Sequence, residues 1–131
     1  MTTPDSALLT LGLADPWITV CERAPYWSNR LARLRRDGSA RIAWSPWTEL
    51  AAAASSSAIL LVPEEDSHWA TLREWLPRMT APPPMLLLGK CSFAIEAALR
   101  ELGVAVVLFP PVAVCQLHTE LQRLVRQEPM V

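Results

Sequence analysis

The chain has 131 residues, of which 51% are hydrophobic and 19% charged, with a formal net charge of −1. That length suits one domain burying about two-thirds of its unfolded surface and leaves no room for two. No apolar run reaches the roughly 20 residues that cross a bilayer, and the charge makes no general case for nucleic acid. Residues 1–15 carry Asp5 but no Lys or Arg, so they lack the positive start of a secretory signal although residues 7–13 are apolar. A cytoplasmic domain without membrane contact is expected. Cys21, Cys91 and Cys115 form an odd, widely spread set, which fits a reducing compartment better than a disulfide framework.

Residues 1–16 are read as a docked arm or a disordered tail, and 17–131 as a single α/β domain. Residues 17–22, with β-branched Ile18, Thr19 and Val20, predict a first strand. A helix over 24–37 follows, with Pro25 in its first turn and Asp37-Gly38 as its stop. Residues 41–44 predict a short second strand. Ser45-Pro46-Trp47-Thr48-Glu49 reads as an N-cap serine, an N1 proline and a first-turn acid opening a second helix, which fades into Ser55-Ser56-Ser57. Residues 58–62 are continuously apolar, as in a strand buried on both faces, and belong in the middle of the sheet.

A third helix is expected from Asp66-Ser67, burying Trp69, Leu72, Trp75 and Leu76 and ending before Ala81-Pro82-Pro83-Pro84. Residues 85–88 give the fourth strand. The fourth helix starts near Cys91-Ser92, with Ile95, Leu99 and Leu102 on one stripe, and stops at Gly103. Residues 104–108 give the fifth strand, and 112–127 a last helix with Val114, Leu117, Leu121, Leu124 and Val125 inward. Five strands alternating with five helical runs imply a parallel sheet covered on both faces. Right-handed crossovers leave few doubly wound orders, of which 2-1-3-4-5 places the most apolar strand centrally.

In such folds chemistry sits beyond the carboxyl ends of the strands. Those ends read Val20-Cys21-Glu22, Ala43-Trp44-Ser45, Val62-Pro63-Glu64, Leu88-Gly89-Lys90 and Leu108-Phe109-Pro110, a poor place for a metal or a phosphoryl group. No Ser lies in a G-x-S-x-G elbow. Gly89-Lys90-Cys91-Ser92 lacks the upstream glycine of a phosphate loop. Cys115 and His118 lie three apart on a predicted helix, one helical face, but no C-x-x-C pair supports a zinc site. Glu22-Arg23-Ala24-Pro25 fills the first loop, where an enzyme holding a cofactor phosphate would need glycines or hydroxyls. Neither an enzyme nor a cofactor or metal is expected.

The alternation, the apolar third strand and the ending Phe109-Pro110 resemble the receiver domain of response regulators, a flavodoxin-like three-layer fold, over about residues 17–128. Receiver domains carry acids after strand 1 that hold magnesium, an accepting aspartate after strand 3, a hydroxyl residue after strand 4 and a lysine before proline after strand 5. Here Cys21-Glu22 stands at the acid pair and Val62-Pro63-Glu64 at the acceptor. Leu88-Gly89 stands at the hydroxyl position with Ser92 close behind, and Phe109 replaces the lysine, while Pro110 is kept. Phosphoryl transfer to a carboxylate needs a carboxylate-held cation and a positive group such as lysine to offset the negative charge on the equatorial oxygens. The resemblance therefore implies a degenerate pocket of Cys21, Glu22, Glu64, Lys90, Ser92, Phe109 and Pro110, and a pseudo-receiver of bacterial signal transduction acting through protein contacts. The alternative is a regulatory domain that binds a small ligand or an atypical phosphoryl group through Glu22, Glu64 and Lys90.

The resemblance also implies a partner or homodimer face on the fourth helix, fifth strand and fifth helix, with Arg100, Glu101, Phe109, Pro111, His118 and Gln122 as candidates. Separately, Arg30, Arg33, Arg35 and Arg36 make a basic patch on the first helix, flanked by Arg23 and Arg41. It suits an acidic protein surface, a phosphate backbone or a solvated helix face. Six tryptophans exceed the needs of a core this size, and at least one is expected at a contact surface.

Overall fold

The computed structural model describes residues 16–34 and 39–126. Its five strands are β1 (Trp17–Cys21), β2 (Arg41–Ser45), β3 (Ala58–Leu61), β4 (Met85–Leu88) and β5 (Val104–Leu108). They form one parallel sheet in the order β2-β1-β3-β4-β5, as the chain pattern predicts. The expected 1–16 arm lies outside the described residues apart from Pro16.

The sheet separates two apolar clusters. Cys21, Ile59, Leu61, Met85 and Leu87 face one side, under Trp47, Leu50, Leu72, Leu76 and Leu99. Ile18, Val20, Leu60, Val62, Leu86 and Leu88 face the other, under Leu31, Leu117 and Leu121. β3 and β4 are buried at every residue, which is why their sequences show no alternation. Two prolines flank the ladder as acceptors: the Pro16 carbonyl takes the Arg41 N–H at 2.9 Å and the Pro84 carbonyl takes that of Ile59 at 3.0 Å.

The α-helices among the described residues are α1 (Trp27–Arg33), α2 (Asp66–Trp75), α3 (Phe93–Glu101) and α4 (Val114–Arg126). The helix expected over 24–37 therefore begins three residues late, and Pro25 stands before its first turn; its expected stop at Asp37-Gly38 lies outside the described residues. The second helical run is a 3-10 helix, Trp47–Ser55, with a kink at Glu49. Its N-cap is Pro46, and the Ser45 hydroxyl donates to the Pro46 carbonyl instead of capping. The geometry follows from the short crossover: nine residues at about 2.0 Å each reach about 18 Å as a 3-10 helix, against about 14 Å as an α-helix. That reach returns the chain to the amino edge of the sheet. The serines there tie the exit to β1, with Ser56 hydrogen-bonded to Thr19 inside the core and the Trp17 N–H donating to the Ser57 hydroxyl.

Two predicted inward faces are corrected. On α2 the buried residues are His68 and Leu72, with Leu76 buried just beyond, while Trp69 and Trp75 pack only partly against the cluster. On α3 only Leu99 is buried; Ile95 and Leu102 are exposed, because β5 is an edge strand with no further strand beyond it among the described residues. Gly103 closes α3 at φ 109°, the left-handed conformation that favours glycine.

Candidate functional site

The carboxyl edge of the sheet is built around Glu22, the residue that follows β1. Its side chain is buried, with 2% of the residue exposed. One carboxylate oxygen accepts the Trp27 N–H and the other the Ser28 N–H, both at 2.9 Å. These are the first two amides of α1, which would otherwise lack partners. The backbone is equally engaged: the Glu22 N–H donates to the Ser45 carbonyl at 3.2 Å, and its own carbonyl accepts the Trp44 indole N–H at 3.1 Å. Glu22 thus fastens β1, β2 and α1 together. The delayed start of α1 follows, since the helix begins where the carboxylate can reach its amides.

The neighbours offer little to a ligand. Cys21 is fully buried, and burial, reinforced by the charge of Glu22, pushes its thiol up to about 12, which keeps it inert. Glu64 is exposed and contributes its backbone N–H to His68 at 2.9 Å. Lys90 is exposed. Ser92 caps α3 by accepting the Ile95 N–H at 3.2 Å, a structural duty. Burial and Glu96 raise the Cys91 thiol. Phe109 is 47% exposed, and Pro110 is exposed beside it, joined to Pro111 by a cis peptide bond.

His68 is the residue that the sequence did not reveal. It is buried in the first turn of α2, and its Nδ1 accepts the N–H groups of Glu64 and Glu65 at 2.9 and 3.2 Å. Nδ1 must then carry a lone pair, so the neutral ring holds its proton on Nε2, 4.0 Å from a Glu65 carboxylate oxygen. The ring stacks on Trp47 at 4.8 Å and 13°. It acts as the returning member of a capping box, the place usually held by Glu or Gln. Three residues into a helix that starts at an acid was the available signal; the stacking across two crossovers left none. Arg23 and Glu65, 3.6 Å apart and exposed, form a surface pair between the loops after β1 and β3, of small energetic weight.

The expected contact face divides. Arg100 is held on α3, donating to Glu96 at 3.1 Å and to the Ala105 carbonyl at 3.1 Å. Glu101, Phe109 and Pro111 are exposed on the β5 side. Gln122 lies elsewhere: its side-chain oxygen accepts the Ala40 N–H at 3.3 Å. His118 lines a cavity of about 250 Å³ with Leu34, Cys115 and Thr119, between α4 and the end of α1. His118 therefore faces the end of α1 and Gln122 the segment just before β2, not β5. Among the described residues no group of three or more His, Cys, Asp or Glu could hold a metal ion, and no helix is long and apolar enough to cross a membrane. Arg30 and Arg33 are exposed on α1; Arg35 and Arg36 lie outside the described residues.

No protein-family model matches the chain, and the comparison with curated proteins finds no match. Solved structures do match. The signal receiver domain of a signal transduction histidine kinase from Syntrophus aciditrophicus superposes with a TM-score of 0.62 at 17% identity, over 88% of this chain and 94% of that one. A protein described as a CpaE2 pilus assembly protein from Sinorhizobium meliloti 1021 gives 0.60 at 14% identity, over 82% and 98%. Full-length FixJ from B. japonicum gives 0.59 at 17% identity, over 86% of this chain and 58% of that one. At these identities the likeness establishes the receiver-like fold, which leaves function to be argued from the site.

Proposed function

We propose that this chain is a receiver-fold regulatory module that works through protein contacts and takes up no phosphoryl group. The observation that carries the reading is the double engagement of Glu22. A carboxylate whose two oxygens each accept a helix amide, one buried and one half-buried, is committed to holding α1, and a cation there would compete with both bonds. Val62 and Pro63 after β3 offer no accepting carboxylate, and Phe109 brings an aromatic ring where phosphoryl chemistry needs a positive charge. The same engagement counts against a small-ligand site through Glu22. The signalling name of one neighbour, the receiver domain of a signal transduction histidine kinase, supports a regulatory role.

The test is a thermal-shift titration of the purified chain with magnesium and beryllofluoride, a stable mimic of an acyl phosphate, beside magnesium alone. The expected result is an unchanged melting temperature in both series. A saturable rise that needs both additives would overturn the reading, since a ligand specific for the folded form stabilises it.

The contact face of this reading lies on α3 and β5, where Phe93 is 87% exposed and Ile95, Leu102 and Phe109 are also exposed. Ile95 and Leu102, seven residues apart, share one stripe of α3, with Phe93 on the opposite side of its first turn; exposed large apolar side chains mark interaction sites. With a second copy as the partner, sedimentation analysis of Phe109→Asp is expected to show weakened self-association at an unchanged melting temperature. Wild-type assembly in that variant would remove Phe109 from the contact.

A further inference from the structure

The opposite edge of the sheet carries a second surface of different chemistry. From Arg23 to Arg36 the chain holds five arginines and no acid, whereas the whole chain is net negative at −1. Arg23, Arg30 and Arg33 are exposed in the β1–α1 loop and along α1. None of the ion pairs between described residues engages Arg30 or Arg33. Among these charges stand two exposed rings, Tyr26 at 54% and Trp44 at 42%.

These groups are held in place. The Arg30 guanidinium carbon lies 4.2 Å from the centre of the Tyr26 ring, within cation–π range, which restrains a long side chain and leaves the residue exposed. Tyr26 meets Trp27 edge to face at 5.3 Å and 79°. Trp44 is fixed by its indole bond to the Glu22 carbonyl, and the Glu22 carboxylate grips α1. The ring and the arginine helix are therefore tied to one residue and cannot drift apart. Restrained Arg, Tyr and Trp side chains are the composition of binding hot spots, and restraint lowers the ordering cost of association.

We propose that the corner formed by Arg23, Tyr26, Arg30, Arg33 and Trp44 docks an acidic segment of a partner protein, with the aromatic rings receiving apolar side chains between its carboxylates. This goes beyond the contact face at β5. Charge complementarity selects the occupant: Arg30 and Arg33 are in no ion pair between described residues, and although Arg23 is shared with Glu65, this cationic face on a net negative protein attracts acids locally while the rest repels them. A protein segment is favoured over nucleic acid by size and charge. The seven-residue helix is about 10 Å long, enough for a few carboxylates, whereas duplex binders track many phosphates along the backbone and draw most of their affinity from them. One face of Tyr26 is also already covered by Arg30, which limits base stacking.

The experiment is an NMR titration of the isotope-labelled chain with a synthetic peptide of alternating glutamate and leucine, repeated with a short single-stranded DNA. The expected result is saturable shifts confined to the Trp44 indole and the amides of α1, reduced by added salt. The pair Arg30→Gln and Arg33→Gln is expected to weaken the peptide by about tenfold, and Trp44→Ala to weaken it at unchanged salt dependence. The pair Arg73→Gln and Arg78→Gln, on and just beyond α2, is expected to bind as wild type, and melting curves confirm that each variant is folded. Absent shifts, shifts spread equally over α2, or binding of the DNA in preference to the peptide would each overturn the proposal. Failure here leaves the β5 face untouched, since its readout is self-association of a Phe109 variant.

Discussion

Glu22→Ala is expected to lower the stability of the domain by about 3 kcal/mol, seen as a melting temperature roughly 10 °C below wild type. Removing the carboxylate leaves the Trp27 and Ser28 amides without acceptors, at about 1–3 kcal/mol for each buried group, with water offsetting part of the loss at the half-buried Trp27 amide. The melting shift follows from about 3–4 °C per kcal/mol for a domain of this size. Glu22→Gln is expected to recover only part, because an amide presents one oxygen and turns its NH2 towards the other N–H. The sign separates two accounts of the residue. A carboxylate kept for a cation sits in an acidic cluster that repels itself when empty, so its removal would leave the domain unchanged or more stable. Equal or raised melting in Glu22→Ala would therefore sink the capping assignment.

The His68 series has the next largest effect. His68→Ala is expected to cost about 3 kcal/mol, from two amides losing Nδ1 and from the ring leaving Trp47, a contact worth about 1 kcal/mol beyond its area. The two contributions separate by substitution. His68→Asn places an oxygen near the position of Nδ1 and is expected to restore the capping part, while His68→Phe keeps the stacking and loses the acceptor. Urea unfolding of the set measures both. Equal stability of the Asn and Ala variants would show that Nδ1 does not hold the start of α2.

The architecture was legible because its signals are local and redundant. Apolar runs such as Ala58–Leu61 and Met85–Leu88 admit only doubly covered strands, and the handedness of crossovers removes most of the remaining orders. What stayed hidden depends on contacts distant in sequence. Glu22 reads as a weakened metal ligand because nothing in its neighbourhood announces a cap five and six residues ahead. His68 is one more polar residue in an acidic turn until Trp47 is laid against it. The periodicity of α3 implied a buried stripe at Ile95 and Leu102, yet periodicity shows only that a face is apolar, not that something covers it. His118 and Gln122 were placed by analogy beside β5, but α4 turns them towards the end of α1 and the segment before β2.

The prolines carry a consequence for strand alignment. In a half-exposed sheet, slipping one strand by a residue swaps buried for exposed side chains, so the hydrophobic pattern itself enforces pairing. β3 and β4 are apolar and buried at every position, and a shifted alignment of these strands would bury much the same residues. The chain marks alignment another way. Pro16 directly precedes β1, Pro84 precedes β4, Pro46 follows β2, and Pro63 and Pro110 stand two residues beyond β3 and β5. Each is harmless outside the ladder, where Pro16 and Pro84 serve only as acceptors. Drawn inward by a slip, each would present a backbone nitrogen with no hydrogen to give. Register in this core is thus written in the residues that cannot donate, at the ends of strands whose side chains carry almost no record of it.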